Sequence, residues 1–170
     1  MKFTPHFDMS QFFRTNRKGI VFNPPQEHID NMRNLSVNLL EPIRMYIGRP
    51  LFITINGGYR PERLNTLIGG SEKSDHMKGM ASDLDDAQTS QLKLFKNCCR
   101  AIKDLKLSFK QLIYELDSNC VHVSYSAFAN RNEILIRNSF KLKNGKTKYV
   151  YKSVVLDSAI NFNGKWEFLS

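Results

Sequence analysis

The 170-residue chain has few of the features that would place it in several large protein classes. It carries only three cysteines, Cys98, Cys99 and Cys120, an odd number with two of them adjacent, which excludes a disulfide framework. No second Cys-x-x-Cys or Cys-His pair accompanies them, so they do not form a zinc knuckle, and core packing is their expected use. No apolar run approaches the roughly 18 residues of a membrane helix, so no membrane span is expected. The start, Met1 to His6, lacks the apolar stretch of a signal peptide, which predicts synthesis in the cytoplasm. Internal repeats, low-complexity tracts and long linkers are missing as well. No Gly-x-Ser-x-Gly occurs, which removes the usual signature of a serine hydrolase. RNA-binding, helix-turn-helix and zinc-finger signatures are also missing, so no nucleic-acid partner is expected.

Acidic residues are in deficit. Sixteen acids stand against 25 lysines and arginines, for a net charge of +9. A surface of that sign favours polyanions such as nucleic acid, anionic membrane or an anionic bacterial wall. The positive residues are spread along the chain, with local density at Arg14 to Lys18 and at Lys141 to Lys152. With 41% apolar and 24% charged residues, the chain reads as one globular domain, 1–170, large enough to bury a core.

The stretch Ser71 to Asp85 concentrates the chemistry. His76 and Asp83 are separated by a glycine, Gly79, that can turn without steric cost. A strand from Ala81 to Asp85 then points Asp83 and Asp85 to one face, with Ser82 and Leu84 on the other. A histidine on a turn and an aspartate on the following strand can converge on one metal ion. Taken alone, the pair reads more readily as a polar loop whose acids cap turns, so a third ligand is needed. His122 supplies it. It lies in the run Val121 to Tyr125, where the period of two puts His122 and Ser124 on one face and Val121 and Val123 toward the core. Two nitrogens and one oxygen suit a catalytic zinc site with an open fourth position.

Periodicity supplies the frame. Asp8 or Ser10 caps a short helix, and Asn23-Pro24-Pro25 opens a longer one that Pro42 kinks or divides and Gly48 ends. Leu51 to Ile55 is predicted as a buried strand, and Pro61 opens a helix through Leu64 and Ile68. Thr89 or Ser90 caps a helix with Leu92, Phe95, Cys99 and Ile102 inward. Gln111 to Glu115 and Val121 to Tyr125 form a hairpin across Leu116 to Cys120. Further strands are expected at Glu133 to Ile136, Lys148 to Val155 and Trp166 to Leu169. The class is α+β: helices packed on a central antiparallel sheet that carries a single zinc site.

An ordered series of residues resembles the zinc D-alanyl-D-alanine carboxypeptidase-like peptidases, which cut peptidoglycan stem peptides or crosslinks. Leu40 to Arg44 and Gly48 to Leu51 match the entry into the first strand. Asn56-Gly-Gly-Tyr-Arg60 is similar to the family's Ser-Gly-Tyr-Arg, with Leu64-Asn65 and Gly69-Gly-Ser71 after it. Ser74-x-His76-x-x-Gly79-x-Ala81-x-Asp83 is its zinc motif, and Gln111 to Glu115, Val121 to Ser124 and Asn130-Arg131 complete the series. The likeness spans residues 5–137, leaving 138–170 as a C-terminal strand extension.

The resemblance implies one Zn²⁺ held by His76, Asp83 and His122, a peptidoglycan stem peptide as substrate, and Arg60 and Ser74 in substrate binding. In such an enzyme Arg60 holds a substrate carbonyl or carboxylate, or stabilises the developing oxyanion. The enzyme would act on the wall, either for a cell or as a phage lysis or virion-linked enzyme. Cys120 stands where relatives often carry Trp, which alters a substrate-facing wall. Several relatives place the catalytic acid three residues before the last histidine, where this chain has Asn119. Glu115 takes the role instead, as a cross-strand neighbour of His122 about 5 Å away at Cβ. Asp117 is the second candidate and Asp85 the third. A wall-binding module that keeps the fold without catalysis is the alternative reading. His6 and His28 fall outside the motif and read as structural or solvated.

Overall fold

The computed structural model describes residues 1–168 of the chain. A six-stranded sheet in the order β1-β2-β4-β3-β5-β6 is covered on one face by helices, and the other face carries the polar cluster. The strands are β1 (Phe52–Ile53), β2 (Ala81–Asp85), β3 (Gln111–Glu115), β4 (Cys120–Ser124), β5 (Glu133–Lys141) and β6 (Thr147–Ser153). The class is α+β, as the sequence predicts. One pairing departs from the antiparallel expectation: β5 runs parallel to β3, with Glu115 opposite Arg137. The chain leaves β4 on one side of β3 and returns through residues 125–132 to β3's other side, so β5 starts from the same end as β3.

The period of two divides the sheet cleanly. Leu84, Val121, Val123, Leu112, Tyr114, Ile134 and Ile136 face the helices and are buried. The long helix α5 (Gln91–Leu105) lies against them with Leu94, Phe95, Cys98, Cys99, Ala101 and Ile102 buried. Phe95 stacks on Tyr114 with ring centroids 5.5 Å apart. Ser90 caps α5 by accepting from the Lys93 N–H. Leu92, expected inward, is only partly buried. Burial pushes the thiol of Cys99 up to about 12 and that of Cys98 higher still, so neither serves as a nucleophile.

On the N-terminal side, α1 (Met9–Phe12) is capped by Asp8, whose carboxylate accepts from the Ser10 N–H while the Gln11 side chain reaches back to the Asp8 N–H. α2 (Gln26–Leu35) begins after Pro24-Pro25 and runs without interruption through a π turn, Ser36–Leu40, into α3 (Glu41–Ile47). This turn is the form taken by the division expected at Pro42. Proline has no N–H for the carbonyl four residues back and crowds it. The wider turn, in which the Glu41 N–H bonds the Ser36 carbonyl, absorbs both defects. Gly48, at φ 72°, ends α3. No helix among the described residues is long and apolar enough to cross a membrane.

Three strand expectations are corrected. Leu51 to Ile55 yields only the two-residue edge strand β1, with Phe52 40% exposed; Asn56, at positive φ, turns the chain away directly after it. Lys148 to Val155 stops at Ser153, and the next residues form a helix, α6 (Leu156–Asn161), which packs Ala159 and Phe162 into the core. Trp166 to Leu169 is no strand: Trp166–Phe168 is a 3₁₀ turn, and Leu169 lies outside the described residues. Cys120 also departs from expectation. It begins β4, opposite Glu115, and is only partly buried, on the polar face of the sheet and not in the helix-packed core.

Candidate metal centre

The turn after α4 (Glu62–Leu67) delivers the first candidate ligand. Residues Asp75–Lys78 form a 3₁₀ turn closed by Gly79 at φ 70°, and His76 within it is buried. An added Cβ at Gly79 would sit 2.5 Å from the His28 carbonyl oxygen, so both the turn and the close approach require glycine. β2 follows at once and pairs antiparallel with β4, setting Asp83 directly opposite His122. The three residues expected from the sequence therefore meet on the open face of the sheet.

Their ligand atoms converge. His76 Nε2 lies 3.1 Å from His122 Nδ1 and 3.3 Å from Asp83 Oδ1, and His122 Nδ1 lies 3.0 Å from the same oxygen. Zinc–nitrogen bonds of about 2.0–2.1 Å in a tetrahedron imply ligand atoms about 3.3 Å apart, so the triangle has the size such an ion needs. The orientation of His76 is fixed from behind. Its Nδ1 bonds the Gly58 carbonyl oxygen at 2.9 Å, which makes Nδ1 the protonated nitrogen and turns the Nε2 lone pair toward the cluster. Burial lowers the pKa of His76 and keeps it neutral, the form that binds metal. Burial works against the charge of Asp83, yet contacts within the cluster, the His122 hydrogen bond among them, hold the carboxyl well below its usual range. Among the described residues, this neutral-His, charged-Asp, His set can hold one metal ion.

The cluster forms the floor of a cleft of about 440 Å³. One wall is the glycine-rich segment from Ile68 to Asp75, which includes Ser74; the other holds Gln111, Ile113, Glu115, Arg137, Tyr149 and Tyr151. Ser74 therefore faces the cleft. Arg60 lines it too, but its guanidinium is already engaged: Nη2 bonds Asp83 Oδ2, and Nε donates to the Asn56 carbonyl at 2.6 Å. This second contact of Asp83 leaves Oδ1 for the histidines and was not read from the sequence.

Of the three acids considered for proton transfer, only Glu115 lines the cleft. Its register differs from the direct neighbour expected. Ile113 stands opposite His122 and Glu115 opposite Cys120, so Glu115 is the diagonal neighbour of the histidine, at about 7–8 Å instead of about 5 Å. Burial raises its pKa, with the Asp83 charge acting in the same direction, against the hydrogen bond from Ser118 and the Arg137 charge. Asp117 pairs with Arg137, and Asp85 is occupied by the Ala87 N–H and the Gln91 side chain. Asn119, at φ 48°, accepts from the Tyr114 hydroxyl at 3.1 Å. The other two histidines lie elsewhere: His6 bonds Glu41 at 2.5 Å and His28 the Tyr59 hydroxyl at 3.2 Å.

Arg137, Tyr149 and Tyr151 were missed as cleft residues. Their sequence signal is weak, since the alternation in β5 and β6 tells which residues share a face but not which strand lies beside β3. No curated protein matches the chain. The family model described as Peptidase M15 matches residues 3–124, a span that contains His76, Asp83, His122, Arg60 and Glu115 and ends with β4. With most of its length matched, and with the two histidines and the aspartate brought together on one face, the chain belongs to the M15 peptidases, the zinc D-alanyl-D-alanine carboxypeptidase-like family.

Proposed function

We propose that the protein is a zinc metallopeptidase that hydrolyses peptide bonds in the stem peptides or crosslinks of bacterial peptidoglycan. One observation carries the reading: His76, Asp83 and His122 converge within 3.0–3.3 Å of one another in a cleft that also presents Glu115 and Arg60. One zinc ion held by these three residues would supply Lewis acidity, activating water and polarising the scissile carbonyl. Glu115 takes a proton from the attacking water and passes it to the departing amine. Burial raises its pKa, which makes it a stronger base than an ordinary glutamate.

Arg60 orients Asp83 and presents its remaining N–H groups to a substrate carbonyl or carboxylate. Ser74 and the glycine-rich wall bind the peptide alongside. A net charge of +9 would hold such an enzyme on an anionic wall, whether for a cell or for a phage that lyses one.

The test is zinc content and hydrolysis of purified peptidoglycan, with mass spectrometry of the fragments separating loss of a terminal D-Ala from cleavage of a crosslink. Glu115→Gln keeps the shape and removes the basicity, so it should retain zinc and lose on the order of 10²-fold or more in rate. His122→Ala should lose both zinc and activity. Full zinc occupancy in His122→Ala would refute the ligand set. A zinc-loaded wild type that binds wall without releasing amino groups would make this a binding module of the same fold.

A further inference from the structure

Beyond the residues matched to the family, β5 and β6 add Arg137, Tyr149 and Tyr151 to the cleft. The parallel register of β5 sets Arg137 opposite Glu115, and its Nη1 donates to Glu115 Oε1 at 2.6 Å. Nε and Nη2 of the same guanidinium donate to the two oxygens of Asp117 at 3.1 and 3.3 Å. Nη2 also donates to Ser118 Oγ at 3.1 Å, and that hydroxyl donates to Glu115 Oε2 at 2.7 Å. The ring of Tyr149 lies 5.0 Å from the guanidinium carbon. The side chains of Arg137 and Glu115 are only 17% and 15% exposed.

One cation thus sorts two carboxylates. Arg137 holds both oxygens of Asp117, which does not line the cleft, but only Oε1 of Glu115, which does; Ser118 holds Glu115 Oε2. A glutamate has three rotatable side-chain bonds, and a fork anchored on a neighbouring strand removes that freedom. We propose that Arg137 is a positioning residue for proton transfer: it fixes Glu115 in the cleft and keeps Asp117 out of it. The inference rests on the peptidase reading above.

The experiment compares Arg137→Met, Arg137→Lys and the double variant Glu115→Gln/Arg137→Met, each loaded with zinc and assayed on a soluble stem peptide. Arg137→Met should keep its zinc and its KM within about twofold while kcat falls about 10²-fold, the scale of a misplaced reacting group. Arg137→Lys should recover part of that loss, because an ammonium meets one carboxylate but cannot span both. In the Glu115→Gln background, Arg137→Met should cost little more, since its effect passes through the missing carboxylate. A folded, zinc-loaded Arg137→Met with wild-type kcat overturns the inference, as does an equal loss in both backgrounds. If Arg137→Met does not fold, Arg137→Lys decides, and an unchanged kcat in it overturns the inference. A zinc-loaded wild type that cleaves nothing overturns the peptidase reading, and this inference with it.

Discussion

Gly58→Ala is the substitution that couples the scaffold most directly to the metal centre. A Cβ built on Gly58 would lie 2.4 Å from the carbonyl oxygen, 2.5 Å from the Cα and 2.8 Å from the carbonyl carbon of Phe12. All three atoms are backbone, so no rotamer change can relieve the contact, and the two segments must part by about 1 Å to reach ordinary van der Waals distance. Overpacking of this kind costs about 1–3 kcal/mol. The same movement strains the 2.9 Å bond from the Tyr59 N–H to the Phe12 carbonyl, which contributes about 1 kcal/mol more. Together these predict a loss of about 3 kcal/mol, or a fall of roughly 10 °C in Tm for a domain of this size. The Gly58 carbonyl, which moves with its residue, holds His76 Nδ1 at 2.9 Å, so zinc affinity should fall about 10- to 100-fold. Thermal melts with and without zinc, together with a metal titration, measure both effects. Gly48→Ala is the control. Its Cβ meets nothing within 4 Å, though φ is 72°, so it should cost about 1 kcal/mol and leave zinc binding unchanged. Wild-type Tm and wild-type zinc affinity in Gly58→Ala would refute the reasoning.

Two further predictions concern charge. Asp86 is buried beneath Arg49, whose Nη2 lies 2.6 Å from its carboxylate, and the Arg49 and Thr89 contacts outweigh burial to lower its pKa to about 2. Because the folded pKa lies below the unfolded one, Asp86 stabilises the fold above about pH 4 by about 2 kcal/mol and loses that contribution as pH falls toward 2. Urea melts across that range should show the loss in the wild type and a flatter profile in Asp86→Asn; parallel profiles would exclude the assignment. The second prediction uses the net charge of +9. If it holds the enzyme on an anionic wall, added salt should slow cleavage of intact wall far more than cleavage of a soluble stem peptide, and equal sensitivity would rule that role out.

The candidate ligand set was legible because each member announces itself locally. Gly79 turns the chain between His76 and Asp83 at fixed spacing, and the alternation Val121-His122-Val123 shows which way the third ligand points, before any tertiary contact is known. Helix caps at Asp8, Ser90 and Gly48 are local for the same reason: a side chain or a positive φ satisfies groups only a few residues away. What escaped the sequence depends on partners distant in the chain. Pro42 marks a disturbance, but whether the helix breaks or widens into a π turn depends on the packing that holds Leu39, Leu40 and Ile43 in the core. The hairpin was legible and its register was not, because either the direct or the diagonal placement of Glu115 keeps Val121 and Val123 inward, and the backbone pairing selects between them. Periodicity specifies faces, not neighbours. That β5 lies parallel beside β3, so that Arg137 meets Glu115, was decided only when the sheet assembled.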